Sequence, residues 1–277
     1  VITAFHVADP ASDNSAMTRD NSVLKPPLKW AGGKRWLIPR LLELWKRFPE
    51  HRLVEPFCGG LSVALGLNPQ QALLNDLNPA LINFYRQLQQ GLTIDLPLAN
   101  DEQLYYQYRK QFNDIAAHNE VERAQLFYYL NRTGYNGLCR FNKSGGYNVP
   151  FGRYKTINYV SDFASYQSVL SQWEFSNTDF ANLTLQQNDF IYADPPYDVP
   201  FRQYSQQGFD WEDQVRLAEW LAKHDGPVVL SNQATDNIKT LYRDLGFRLR
   251  YLDAPRTISC KGDKRQSARE VLALRGF

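Results

Sequence analysis

The chain has 277 residues, 43% of them hydrophobic, which suits one large domain or one domain carrying a sizeable insertion. No run approaches the ~20 consecutive apolar residues of a membrane span, so no membrane partner is expected. Cys58, Cys139 and Cys260 lie far apart and the four histidines show no ligand spacing, which points to a reducing, cytoplasmic setting with no structural metal, while a net charge of only +2 by itself says nothing about nucleic acid.

Residues 1–24 are polar and mixed, lack the apolar core of a secretory signal, and read as a disordered or expression-derived tail. From Lys34 to Phe48 apolar residues recur at a helical period. Leu53 to Phe57 then reads as a short strand, Cys58-Gly59-Gly60 as a turn, Val63 to Leu67 as a helix, and Ala72 to Asn75 as a second strand ending at Asp76. That order is a βαβ unit. Asp76 lies 17 residues after Gly59, near the ~20-residue spacing at which an acid reaches ribose hydroxyls in nucleotide-binding sheets. A structural βα turn explains the glycines equally well on their own. No GxGxxG and no phosphate-cradling P-loop occur, and Trp30 to Lys34 lacks the spacing and the hydroxyl of the latter. A ligand with ribose but no pyrophosphate fits, and S-adenosylmethionine is one.

Two helical stretches follow, 101–116 and 121–131. The segment 132–157 comes next, rich in Gly, Asn and aromatic residues, with Arg132, Arg140, Lys143, Arg153 and Lys155 and no acid. A loop this long is uncommon in a compact domain unless it is functional, and a basic stripe suits a polyanion or, equally, a solvated face. Strand patterning returns at 173–176 and 189–193, the latter ending in Asp194-Pro195-Pro196-Tyr197. Two prolines cannot extend a ladder, so a carboxylate and a phenol ring are held at the strand's end, where open α/β sheets bind ligands. An ordinary strand-ending turn is the plainer alternative. Helices at 212–223 and 235–244 and strands at 227–231, 247–252 and 270–274 complete the pattern, and the last 33 residues carry eight Lys/Arg against three Asp/Glu. The expected architecture is α/β, a Rossmann-like sheet formed by 25–91 and 157–277, interrupted by a mostly helical insertion at 92–156.

Six segments together identify a family. Lys29-Trp30-Ala31-Gly32-Gly33-Lys34, Glu55-Pro56-Phe57-Cys58-Gly59-Gly60, Asn75-Asp76-Leu77-Asn78, the run Tyr129 to Asn142, Asn148-Val149-Pro150-Phe151-Gly152-Arg153 and Asp194 to Tyr197 occur in an order that resembles Dam-type DNA adenine methyltransferases. The resemblance covers the chain from about Leu28 to Leu274. It implies an S-adenosylmethionine-dependent methyltransferase sheet, S-adenosylhomocysteine as product, and double-stranded DNA, at GATC, as the partner of a monomeric enzyme. Trp30, Lys34, Phe57, Gly59, Asp76 and Asp194 match cofactor-pocket positions, and Asp194, Pro195 and Tyr197 the chemical centre. Lys29, Tyr135, Asn136, Leu138, Arg140 and Pro150 match positions that read or open the target, with Arg132 in the same basic segment. Leu61 departs from the pattern, since many relatives carry a further Gly there, as does the segment from Ser259 to Asp263. Whether a restriction partner exists or the enzyme works as an orphan methylase is left open.

The residues themselves suit that chemistry. An exocyclic amine attacking a methyl group must shed positive charge, and a carboxylate at Asp194 with the Pro195 carbonyl can accept its two hydrogens as that charge grows. A paired adenine must leave the duplex to reach them. Arg140 has the fork for guanine O6 and N7, or for a phosphate. Methylation of RNA adenine, of cytosine N4 or of glutamine, and a DNA-binding chain without catalysis, are the competing readings.

Overall fold

Three short runs, Leu53–Glu55 (β1), Ala72–Asn75 (β2) and Phe190–Ala193 (β4), are buried along their whole length. Strands without a polar face belong inside a parallel sheet covered on both sides. In the computed structural model, which describes residues 24–116, 118–197, 209–253 and 269–277, they form the centre of such a sheet. With Trp173–Ser176 (β3), Val228–Gln233 (β5), Arg248–Asp253 (β6) and Arg269–Arg275 (β7), the order is β3-β2-β1-β4-β5-β7-β6. Neighbours from β3 to β5 pair in parallel, while β7 runs antiparallel to both β5 and β6. This is the expected Rossmann-like sheet. The chain winds outward from β1 to β3 and returns to the other side of β1 at β4, so the order reverses between β1 and β4. Ligands of open α/β sheets bind at the carboxyl ends of strands at such a switch point.

Alternate residues of each strand serve opposite faces. Leu53, Leu74, Phe190 and Tyr192 join one apolar cluster, and Val54, Leu73, Ile191 and Ala193 join the other. The helices Trp211–Ala222 (α7) and Asp236–Asp244 (α8) cover the second face. The first is covered by Ile38–Trp45 (α1), Ser62–Leu67 (α2), Pro79–Gln89 (α3) and, beyond them, Glu102–Asp114 (α4), Glu120–Thr133 (α5) and Ala164–Leu170 (α6). Sequence patterning found neither α3 nor α6. For α3 the signals were present: the Asn78 side chain accepts from the N–H groups of Ala80 and Leu81 at 3.0 and 3.2 Å, and Pro79 stands in the first turn.

Helix α5 packs on α3, where Phe84 stacks on Tyr128 with centroids 6.0 Å apart, and on α4, where Tyr108 meets Tyr129 edge-on at 5.0 Å. The segment after α5 is folded rather than loose. Isolated bridges join Gly134 to Phe151 and Phe141 to Tyr147, and the Tyr105 hydroxyl donates to the Val149 carbonyl at 2.9 Å. Among the described residues no helix is long and apolar enough to cross a membrane.

Candidate active site

Strand β4 ends at Asp194, and its carboxylate is held on both oxygens. The Ser231 hydroxyl of neighbouring β5 donates to Oδ1 at 2.7 Å, and the Lys34 ammonium lies 3.2 Å from Oδ2. Burial pushes the Asp194 carboxyl above its ordinary value, while Lys34 and the Ser231 hydrogen bond pull the other way. Pro195 is buried beside it. The Tyr197 hydroxyl donates to Glu270 Oε2 at 2.8 Å, and Lys34 Nζ sits 4.6 Å from the centre of the Tyr197 ring. Burial also drives the Tyr197 hydroxyl up, so it stays a donor. Behind this corner, buried Gln214 donates to the Pro196 carbonyl at 2.7 Å and accepts from Asn232 at 2.9 Å. Lys34, placed by sequence in the cofactor pocket, therefore also touches the chemical corner.

The β1–α2 turn lies next to it. Gly59 has φ +44°, and a Cβ there would sit 2.7 Å from Trp30 Nε1, so the turn is pressed against the indole. Leu61, the departure from the family's glycine, takes φ +59° with its side chain fully buried; a glycine suits that backbone, and core burial holds the leucine in it. Asp76 accepts from the Gly59 and Asn78 N–H groups at 3.2 and 2.9 Å. A carboxylate with about four acceptor sites keeps capacity for two hydroxyls. Burial raises its pKa, against those two N–H bonds. Asn75 and Leu77, the neighbours of Asp76, open onto a cavity of about 230 Å³ walled by Phe57, Phe180 and Phe209. Asp179 lines it, gripped by Arg216 at 2.7 and 2.9 Å, and Arg216 lies over the Phe180 ring at 4.2 Å. A carboxylate with spare acceptor capacity beside an aromatic slot fits a ligand with a sugar and a flat base.

Of the residues expected to read the target, all but Lys29 lie on the segment after α5, and Lys29 is tied to the end of that helix through Asn131 and Arg132. Tyr135 and Pro150 are exposed and joined by a Tyr135 N–H to Pro150 carbonyl bond of 2.9 Å. Asn136 is exposed at φ +53°. Arg140 donates from Nε to Asn148 Oδ1 at 2.7 Å and from one terminal nitrogen to the Asn148 carbonyl at 3.1 Å, which braces one edge of the guanidinium. Leu138 is partly packed into the core. Lys29 donates to the Arg132 carbonyl at 2.8 Å and lies 3.6 Å above the Tyr154 ring; burial, then the Arg132 charge, lowers its pKa to about 8. Arg132 is itself tied to the Asn158 carbonyl at 2.9 Å, so its guanidinium is partly spent on the fold.

Sequence reasoning missed Ser231, Glu270 and Gln214, which come to the site from distant segments, and it gave Asn148, part of a matched segment, no role as the brace of Arg140. It also missed Asp179 and Phe180, for which the only signal was their place just beyond β3. Segment 259–263 lies outside the described residues, as does Cys260. Cys58 and Cys139 are packing groups: the first is buried, and the second accepts from the Asn78 amide at 3.2 Å. No cluster of metal-ligating side chains occurs among the described residues.

The sequence model of the D12 class N6 adenine-specific DNA methyltransferases matches residues 30–258. The chain is 36% identical over 264 residues to the retron Ec67 DNA adenine methylase of Escherichia coli, covering 90% of each chain. It is 38% identical over 268 residues to a DNA adenine methylase of Vibrio cholerae, covering 89% of this chain and 94% of the relative. A type II methyltransferase of Lactococcus lactis is 34% identical over 276 residues, at 90% and 94% coverage. Adenine in DNA thus prevails over the competing RNA, cytosine and protein readings, and agreement of this extent settles the membership: the chain belongs to the D12 class N6 adenine-specific DNA methyltransferase family.

Proposed function

We propose that the protein methylates N6 of an adenine flipped out of double-stranded GATC, with S-adenosylmethionine as donor, working as a monomer. The observation that carries this reading is the corner at the switch point. A fixed carboxylate, Asp194, and a phenol ring, Tyr197, stand beside a turn and an acid, Asp76, suited to a nucleoside. S-adenosylmethionine supplies an electrophilic methyl group when bound, and the Asp76 carboxylate, the Gly59 turn and the aromatic slot at Phe57 are the groups that hold it. Trp30 backs that turn.

Asp194 and the Pro195 carbonyl accept the two N6 hydrogens. Both bonds strengthen as the nitrogen becomes cationic, so they favour the transition state over the ground state. Tyr197 faces the base and holds it in line, and such positioning supplies up to roughly 7–11 kcal/mol in the best cases. Lys34 stands on the side of Asp194 that an amino group needs, and the Gly32 carbonyl, 3.3 Å away, is its other partner when the base enters. Residues 92–156 act as the target-recognition unit. Tyr135 wedges into the gap left by the base, Asn136 serves the orphaned partner, Arg140 and Lys29 read the two guanines, and Leu138 and Pro150 meet the thymine methyl.

The test is labelled methyl transfer to duplexes that differ by one base within GATC. Transfer confined to the intact site is the expected result, and equal transfer to all duplexes refutes the specificity. In the same assay Asp194→Ala should abolish transfer; wild-type turnover in that variant refutes the assigned chemistry.

A further inference from the structure

Glu270 is the second residue of β7, 73 residues after Tyr197, and no sequence motif points to it. Its Oε2 accepts the Tyr197 hydroxyl at 2.8 Å and lies 3.9 Å from the Lys34 ammonium. The same ammonium is 3.2 Å from Asp194 and 4.6 Å from the centre of the Tyr197 ring. Two carboxylates and a phenol therefore close around one cation, with Lys34, Asp194 and Glu270 side chains only 7%, 19% and 12% exposed.

The arrangement has two physical effects. Pro195 and Pro196 fix the backbone approach to Tyr197 but leave its side-chain torsions free. A charge-assisted bond from the hydroxyl to a residue on a separate strand removes that freedom and sets the ring face offered to a purine. Shared charge is the second effect. With Asp194 as sole partner, Lys34 would form a one-to-one ion pair in a dry site and blunt the acceptor. A second carboxylate divides that attraction.

We propose that Glu270 is a positioning residue for methyl transfer: it fixes the Tyr197 ring through its hydroxyl and shares the Lys34 ammonium, leaving Asp194 open to the substrate amine. This rests on the assignment of Asp194 as acceptor and Tyr197 as the stacking face.

The experiment is single-turnover methyl transfer by the full chain carrying Glu270→Leu, Glu270→Gln, Tyr197→Phe, and the Leu and Phe changes together. Glu270→Leu should slow the transfer step by about ten- to a hundredfold, the range a charge-assisted hydrogen bond commands, with the KM for S-adenosylmethionine within about twofold of wild type. Adding Tyr197→Phe to it should cost less than about twofold more, because the two changes break one interaction. Glu270→Gln keeps an acceptor for the hydroxyl but not the charge, and should fall between Leu and wild type. A Leu variant within about twofold of the wild-type rate, or single effects that multiply in the double variant, overturns the inference. Should the Leu variant not fold, Glu270→Gln decides alone: a several-fold slower transfer step supports the inference and a wild-type rate overturns it. Asp194→Ala run alongside separates the two failures. If it is inactive while the Glu270 variants are normal, only the role of Glu270 falls; if it is active, the acceptor reading itself falls.

Discussion

Asp194 must be ionised to accept hydrogens from an amine, and its surroundings set the pH at which that holds. Burial moves its pKa upward from 3.8, and Lys34 and Ser231 oppose that without reversing it. The acceptor form is therefore lost on acidification at a pH above the ordinary carboxylate value of ~3.9. Single-turnover rates measured down the acid limb should fall with a midpoint above that value, and a midpoint at or below it contradicts the effect of burial. Arg140 gives a second test at this scale. With Nε and one terminal nitrogen donating to Asn148, the proposed guanine contact falls to the other terminal nitrogen and the second N–H of its neighbour. Arg140→Ala should relax discrimination at one base pair by ~1–3 kcal/mol, measured as kcat/KM across substituted duplexes. A loss uniform over all sequences would identify a phosphate contact instead. Asp194 and Asp76 were legible in sequence because each stands in a short run of unusual composition where a strand ends, and Arg140 because it sits in an acid-free basic segment. Ser231 and Glu270 were not, because a serine or glutamate within a strand carries no mark of the neighbour that the sheet order gives it.

At the scale of elements, the turn between β1 and α2 and the peptide after β4 are both shaped from behind. Gly59→Ala places a methyl 2.7 Å from Trp30 Nε1 on a backbone at φ +44°. The left-handed penalty of about 1–2 kcal/mol falls on the folded chain with or without ligand, and it is the displacement of the turn from the indole that should lower cofactor affinity, measured by titration calorimetry. An unchanged affinity would remove the turn from the pocket. Gln214→Leu deletes the donor to the Pro196 carbonyl and leaves Asn232 short of an acceptor. Chemical denaturation should show a loss of about 1–3 kcal/mol, and methyl transfer should slow because the peptide bearing Asp194 and Tyr197 is no longer fixed. Strands β1 and β2 were readable from their unbroken apolar runs. Helix α3 was passed over because the acid and asparagines before it dominated the reading of that stretch, although Asn78 and Pro79 form a recognisable start. The segment after α5 was read as irregular because its order comes from single bridges and side-chain bonds such as Tyr105 to Val149, which leave no period in sequence.

For the molecule as a whole, the sheet order decides where everything meets. The reversal between β1 and β4 brings Gly59 and Asp194 to one edge although 135 positions of chain separate them in number. Short apolar runs ending in turn residues, alternating with helical periods, made the α/β class legible, while the antiparallel entry of β7 between β5 and β6 was not, since strand partners are a property of the closed sheet. If the acid-free basic segment 132–157 meets the duplex as proposed, DNA binding is the salt-sensitive step of a nearly neutral chain. Raising salt from about 50 to about 200 mM should weaken duplex affinity by at least about tenfold through counterion release, while S-adenosylhomocysteine affinity stays nearly constant. Fluorescence anisotropy and calorimetry on the same samples check both halves.

The contact between Asn78 and Cys139 carries one more consequence. Asn78 also donates its backbone N–H to Asp76, so one residue, through two separate groups, ties the Asp76 carboxylate to the stretch flanked by Leu138 and Arg140. On the proposed assignment of Asp76 to the nucleoside and of that stretch to the duplex, ordering one side orders part of the other, and any factor the nucleoside adds to duplex binding the duplex returns to it. Replacing Asn78 with alanine should shrink that shared factor toward unity.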